Sequence, residues 1–360
     1  MSCEFGKALH ISIFGESHGK AVGVLIDGLP AGERIDMQKL QEFMDRRRPG
    51  KNALVTSRRE QDNPQFLSGL LEGRTCGSPL CAILPNEDCK PSDYSGIMDI
   101  PRPSHADYTA YLKWLGNADL RGGGHLSGRL TAPMCVAGGI AAQILAKRGI
   151  YIGSHLKSVG TVVDSSFPLF PEQCSFQQLA KKEIPAIDEN AAAEMKAQIE
   201  KVSQDGDSIG GVIECAAIGF PTGIGAPHFD GIENRLSSAL FGIPAVKGVE
   251  FGLGFSGCTL HGSEVNDAFV AANGSIMTKT NHSGGIQGGI SNGMPILFRV
   301  AVKPTPSITM EQDSVSISRG TNEKLTIHGR HDPCIALRAL PVVEAITAAV
   351  LLDFMLEEKV

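Results

Sequence analysis

Positive charge is in short supply in this chain. Lysine and arginine number 33 against 39 aspartates and glutamates in 360 residues, a formal net charge of −6. Domains that bind nucleic acid usually carry a basic face, so nucleic acid is excluded as a general partner and any cation that matters must act locally. Paired cysteines are missing as well: nine are scattered along the chain with no CxxC. With no HExxH either, no zinc or other metal site is expected, and reduced thiols of the cytoplasm are the default. The first residues, Met1 to Lys7, lack the apolar core of a secretion signal. The most apolar stretch, Ala336–Leu356, is interrupted by Arg338, Glu344 and Asp353, which argues against a membrane span and for a buried helix. No segment rich in proline or serine divides the chain, and no internal repeat is found. One domain over residues 1–360 is therefore expected.

What the chain has in excess is glycine, 42 of 360 residues against a norm of ~7%. The glycines gather in discrete loops rather than in a low-complexity tract. Gly15-Glu16-Ser17-His18-Gly19-Lys20 lies between two short apolar runs, Leu9–Phe14 and Ala21–Asp27, and reads as strand, tight loop, strand. It holds a serine, a histidine and a lysine where backbone can approach a ligand closely. Similar loops follow at 102–108, at Arg121-Gly122-Gly123-Gly124 and at 329–334.

Helices and strands alternate between these loops, so the class is α/β or α+β. Apolar spacing predicts a helix over Met37–Arg47, stopped by Pro49 and Gly50, with Arg46, Arg47 and Arg48 at its end. Further helices are expected over His105–Leu115 with Ser104 as N-cap, Thr131–Lys147, Glu189–Val202, Asp230–Leu240 and from about Cys334. Strands are expected over Pro79–Leu84, Ile150–Val163, Gly210–Gly219, Ala245–Phe251 and Pro295–Val302. The polar, irregular stretch Asp164–Pro185 is expected to be a surface excursion.

Arginines recur beside glycine or proline: Arg46 to Arg48, Arg102, Arg121, Arg129 and Arg330. Their planar forks suit phosphate and carboxylate, which favours an anionic ligand over a merely solvated basic helix end. His18 and His105 each follow a serine at the edge of regular structure and can donate protons near neutral pH. The run from Gly284 to Gly293 resembles a phosphate loop but lacks the lysine and hydroxyl of one. It can cover a flat ligand or be a flexible loop, and Lys303 and Thr305 could add a cation and a hydroxyl. Asp332 stands at a helix start, either as a carboxylate stabilised by the helix dipole or as a base. Cys334 reads as a structural thiol.

Taken together, these segments resemble the chorismate synthase family. Gly15–Gly19 and Arg330–Cys334 match two of its three signature stretches, and Pro341 and Glu344 follow as expected. Arg-Arg-Arg-Pro-Gly, Pro-Ser-His-Ala-Asp-Tyr-Thr and Gly-Gly-Ile-Gln-Gly-Gly-Ile-Ser-Asn-Gly are also present, collinear from about Phe5 to Met355. The middle signature departs: Ser127, Arg129 and Thr131 are kept, whereas His125, Leu126, Gly128 and Leu130 replace the usual residues.

The resemblance implies an α+β, single-domain β-α-β sandwich assembled as a homotetramer. It implies 1,4-anti elimination of phosphate from 5-enolpyruvylshikimate 3-phosphate to chorismate, the last step of the shikimate pathway. The reaction requires reduced FMN, with no net redox change. By resemblance, His18 meets the leaving phosphate and His105 protonates or polarises the flavin. Asp332 helps flavin N5 take the ring proton. Ser17, Arg48, Arg129 and Arg330 hold substrate. Arg102, His105, Ser127, Gly128, Arg129, Gly288, Gly289, Lys303, Thr305, Ser307, Arg330 and Asp332 hold the flavin. An outside flavin reductant is expected, and NADP is a further nucleotide that the resemblance associates with such enzymes. A flavin-independent phosphate lyase and an inactive flavin-binding paralogue are the competing readings.

Overall fold

Two five-stranded antiparallel sheets enclose a layer of helices. The computed structural model describes residues 3–50, 54–55, 60–87, 99–272, 274–327 and 331–359. The first sheet runs Glu4–Phe5, His10–Gly15, Ala21–Asp27, Leu80–Pro85, Gln65–Ser68. The second runs Val246–Phe251, Ile296–Val302, Gly211–Ile218, Tyr151–Val159, Val162–Val163. Alternation of buried and half-buried residues along Ile296–Val302 and Leu80–Pro85 shows one face of each sheet turned to the core. The fold is α+β, a β-α-β sandwich, as the sequence led us to expect.

The middle layer consists of the helices Met37–Arg47, Thr131–Ala146 and Ala336–Glu357. Thr131–Ala146 packs on the first sheet and on Ala336–Glu357, which in turn packs on the second. The two helices cross so closely that a Cβ at Gly138 would lie 2.2 Å from Ala345 Cα, so only glycine fits there. One apolar cluster runs through all three layers, from Leu9 and Val24 to Phe298 and Phe354. The segment Arg121–Ala146 and the helix Ala336–Glu357 are long and apolar enough to cross a membrane, yet both are mostly buried inside the molecule.

Local signals explain most boundaries. Asp36 caps the first long helix by accepting from Lys39 N at 3.1 Å, and Arg48, extended ahead of Pro49, ends it. The expected strand 150–163 is broken by a turn at Gly160 into Tyr151–Val159 and Val162–Val163. Two expectations need correction. Ser104 is not a helix N-cap: it takes a left-handed φ of 57°, and the helix is Asp107–Lys113, because Asp107 turns its carboxylate back onto Arg102. Nor is Asp164–Pro185 a surface excursion. It contains the helix Gln173–Leu179, and Phe167, Phe176 and Leu179 pack with Ala216 of the second sheet.

That segment is held by a buried charge triad. His155 Nδ1 lies 2.9 Å from Asp164 Oδ2 and its Nε2 lies 3.1 Å from Glu214 Oε2, all three residues being buried. Only the imidazolium can donate to both. Burial opposes that charge, but hydrogen bonds and attraction to the two carboxylates outweigh it and raise the His155 pKa. Asp164 also accepts from Ile187 N and Asp188 N, and Glu214 from Phe167 N. Both carboxyls are held below their ordinary values against the opposing effect of burial, Asp164 at about 2.

A second anchor is Asp353, which is fully buried and accepts from the backbone N–H of Lys7, Ala8 and Leu9 at 2.8 to 3.1 Å. Arg235 lies 3.4 Å from the same carboxylate and stacks on Phe354.

Two stability experiments follow. The imidazolium contribution is fully present below pH ~6.5 and lost as the pH rises through the raised His155 value; the carboxylate contribution is lost in acid, below ~4. Urea midpoints should therefore fall between pH 6 and pH 9 in the parent by more than in His155→Gln. Equal losses would contradict a charged triad. Asp353→Ala, which orphans three backbone donors while Arg235 keeps Asp230 and Glu357, should lower stability by about 3 kcal/mol in urea denaturation.

Candidate active site

The middle layer opens into a cavity of about 1140 Å³. Small-molecule sites are commonly ~300–1,000 Å³, so this one has room for more than one such ligand. The helices Thr131–Ala146 and Ala336–Glu357 begin side by side at its wall: a Cβ on Gly128 would lie 4.0 Å from Ile335 Cδ1. Their N-terminal ends place positive dipole ends toward the cavity and favour anions there.

The turn Gly122-Gly123-Gly124 lies between the two sequence-predicted histidines. All three glycines have positive φ. A Cβ on Gly122 would meet the His18 ring at 2.2 to 2.3 Å, and one on Gly123 would lie 3.4 Å from the His105 ring. The loop carrying His18 is tied to this turn by Ser17 N donating to Gly124 O at 3.1 Å. Asn86 braces the same loop, donating to the carbonyls of Glu16 and Gly19 at 3.0 and 2.9 Å.

His105 is oriented by Asp107. Its Nδ1 lies 2.6 Å from Asp107 Oδ1, which assigns the ring proton to Nδ1. Arg102 Nη2 also comes within 3.1 Å of that nitrogen, but its own proton goes to Asp107 Oδ1 at 2.7 Å. Arg102 Nε donates to Asp107 Oδ2 at 2.7 Å and Nη1 to Ser307 Oγ at 3.2 Å. Burial would push the Asp107 carboxyl up, yet the bonds from Arg102 and His105 hold it far below the carboxylate range.

A second set of charges gathers around Arg47 and Arg129, which also line the cavity. Arg47 Nη1 donates to Asp62 Oδ2 at 3.0 Å, and Arg129 bonds Asp62, Asn86 Oδ1 and Pro85 O. Burial, with Arg338 and Arg129 nearby, lowers the Arg47 pKa to about 10 despite Asp62. Burial opposes ionisation of Asp62, but Arg47 and Arg129 hold its carboxyl below the ordinary value. Arg338 Nη1 donates to Asp332 Oδ2 at 2.6 Å. Burial and Arg102 push the pKa of His331 down to about 4, so this ring is neutral. Arg47 Nε, Thr305 Oγ1 and His331 Nε2 are buried polar atoms without a hydrogen-bond partner among the described residues, all on cavity-lining residues. Such atoms call for a ligand.

Of the residues singled out in the sequence, Arg102, His105, Ser127, Gly128, Arg129, Lys303, Thr305, Ser307 and Asp332 line the cavity. His18 and Ser17 sit behind Gly122, which lines it. Arg48 points away to Asp45 at 3.5 Å, and its neighbour Arg47 takes the place on the wall. Gly288 and Gly289 join the strands Ile286–Gln287 and Ile290–Ser291, away from the wall, where Gly289 O accepts from Ile232 N. Arg330 lies outside the described residues. Cys334 is buried, with its thiol pushed up to about 11 by burial, as a structural cysteine is. His125 of the altered segment turns Nδ1 to Gly15 O at 2.8 Å. Sequence reasoning had Arg47 only within the run Arg46 to Arg48 and chose Arg48 from it; Asp62, Asn86, His331 and Arg338 it missed. The signal for Arg338 was there: a charge interrupting a buried helix needs a partner.

A sheet–helix–sheet sandwich with a cation-rich, histidine-bearing cavity defines a site for small anionic ligands. The family model for chorismate synthase matches residues 9–356. The chain is 44% identical to the chorismate synthase of Lancefieldella parvula over 98% of its length and 96% of the relative's. It is 45% identical to that of Pyrococcus abyssi over 99% and 98%. A crystal structure of a chorismate synthase superposes with a TM-score of 0.77 at 30% identity, covering 98% of this chain and 93% of that one. The chain belongs to the chorismate synthase family.

Gly122→Ala should displace His18 without unfolding the protein. NMR would then show the His18 ring resonances shifted and the His155 resonances in place; an unmoved His18 would contradict the packing described.

Proposed function

We propose that this protein is a carbon–oxygen lyase that eliminates phosphate from 5-enolpyruvylshikimate 3-phosphate in a 1,4-anti sense, giving chorismate. The observation that carries this is one cavity wall holding His105 oriented by Asp107, Asp332 paired with Arg338, and three buried polar atoms awaiting a ligand. Family membership supports this choice of substrate, which bears one phosphate and two carboxylates. The arginine-rich wall suits a molecule with three anionic groups.

The cavity also fits FMN. It has the volume, the unpartnered atoms Thr305 Oγ1 and His331 Nε2, the cation Lys303, and a glycine turn that leaves the wall free of side chains. Reduced FMN, when bound, supplies electron density that eases C–O cleavage. Arg102, Ser127, Gly128, Lys303, Thr305, Ser307 and Asp332 would hold it, with Arg330 as a further proposed contact. His105, its ring fixed by the Nδ1–H bond to Asp107, would offer a proton to the flavin from Nε2 once that nitrogen is protonated as well. Asp332 would help the removal of the proton that leaves the substrate ring. His18, beside Gly122, would meet the leaving phosphate together with Ser17, while Arg129 and Arg330, with Arg47 in the place the sequence reading gave to Arg48, would complete substrate binding. Lys303 donates to Ser104 O, which holds its ammonium close to the wall, although burial and Lys247 lower its pKa.

The proposal includes a single catalytic domain, an outside reductant that keeps the flavin reduced, and a cytoplasmic setting in which the free cysteines stay reduced. It also includes a homotetramer. Exposed Phe229, Phe255, Phe269 and Ile276 are the kind of apolar surface an assembly covers.

The test is anaerobic phosphate release with chorismate followed by absorbance, with dithionite-reduced against oxidised FMN. Turnover only with reduced FMN is expected. Turnover with both supports a flavin-independent lyase, and none with either supports an inactive paralogue. His18→Ala and His105→Ala should each lower kcat roughly 10²- to 10⁴-fold with the fold intact, and Asp332→Asn should lower kcat far more than it raises KM. Normal turnover in the histidine variants contradicts their assignment.

A further inference from the structure

The proposed role of Asp332 rests on the reaction inferred above, and it demands that the carboxylate face one way. A proton acceptor misplaced by ~1 Å can lose about 100-fold in rate. Arg338 stands in the first turn of the helix Ala336–Glu357 and reaches back over that turn. Its Nη1 donates to Asp332 Oδ2 at 2.6 Å, a short charge-assisted bond between two largely buried side chains. Its Nε donates to the backbone carbonyl of Arg47 at 3.0 Å. That carbonyl lies in the last turn of the helix Met37–Arg47, where the dipole favours a cation. The guanidinium is planar and rigid, so two bonds from different nitrogens to two different elements fix its plane. Both residues line the cavity.

We propose that Arg338 is a positioning residue. It sets the direction of the Asp332 carboxylate by clamping it to the end of the arginine-bearing helix. It acts through Asp332, with two of its three nitrogens engaged by the protein itself.

The experiment compares the parent, Arg338→Met, Arg338→Lys, Asp332→Asn and the double variant Arg338→Met/Asp332→Asn as FMN-loaded enzymes under anaerobic turnover. The Kd for FMN is measured separately from quenching of flavin fluorescence. Arg338→Met should lose about 100-fold in kcat, with KM for 5-enolpyruvylshikimate 3-phosphate and Kd for FMN changed by less than about threefold. Arg338→Lys, which restores one donor, should recover at least about tenfold. The double variant should be no slower than Asp332→Asn alone, since a residue acting through Asp332 has nothing left to position. Losses that multiply in the double variant overturn the proposal. So does a raised KM with unchanged kcat, which would make Arg338 a direct substrate ligand.

A crystal structure of Arg338→Met, or of Arg338→Lys where the former does not fold, reads the same clamp without turnover. An Asp332 carboxylate that has rotated supports the proposal, and one in its parental orientation overturns it. A parent that releases no phosphate contradicts the reaction inferred above and leaves this structural arm to decide on Arg338.

Discussion

The helix Ala336–Glu357 is apolar and buried along nearly its whole length, and it carries three charges that burial forces to find partners. Each partner ties down a different part of the molecule. Arg338 clamps Asp332 and the end of the helix Met37–Arg47. Glu344 takes both terminal nitrogens of Arg46 and the Ser154 hydroxyl of the second sheet. Asp353 gathers the backbone N–H groups of Lys7, Ala8 and Leu9 just before the strand His10–Gly15. An unpaired charge at any of these depths would cost several kcal/mol, so the pairings are obligatory. They align the two sheets, the arginine-bearing helix and the N-terminal strand on one axis.

The cavity inherits its character from the same arrangement. The helices on either side of the Gly138–Ala345 crossing start together, so the loops before them, one ending in Ser127-Gly128-Arg129 and the other containing Asp332, share a wall. Its cations are paired in advance: Arg102 with Asp107, Arg47 and Arg129 with Asp62, Arg338 with Asp332. Pre-paired guanidinium groups are held in place, so a ligand's charges meet donors that need little reorganisation. The neutral His331 and the unpartnered Thr305 hydroxyl add polar contacts without further charge.

Much of this was legible from residues alone, for reasons that differ from place to place. The helix Met37–Arg47 was read to its ends because four well-spaced apolar residues and Pro49-Gly50 agree, and the Asp36 cap seen in the fold completes its start. Ser104 misled because the cap it would make competes with the Arg102–Asp107 pair, a tertiary interaction that spacing does not show. Arg47 and Arg48 are adjacent, and ~100° of helical rotation separates a wall residue from one paired with Asp45 at the surface. Asp164 looked like loop because its polarity was visible and its partner, His155 on a strand, was not. Asp62 and Asn86 sit in stretches without any local pattern, and only the folded chain shows what they brace. The family resemblance brought His18, His105 and Asp332 into one site; the geometry adds the glycine turn between the histidines and the arginine behind the aspartate.

The central claim is that one cavity takes flavin and substrate together. The most direct measurement is a crystal structure with oxidised FMN and 5-enolpyruvylshikimate 3-phosphate bound. The account predicts both molecules inside this cavity, with Arg47 Nε, Thr305 Oγ1 and His331 Nε2 each gaining a partner from the ligands or their ordered water. Ligands bound elsewhere, with those three atoms still without partners, would contradict it.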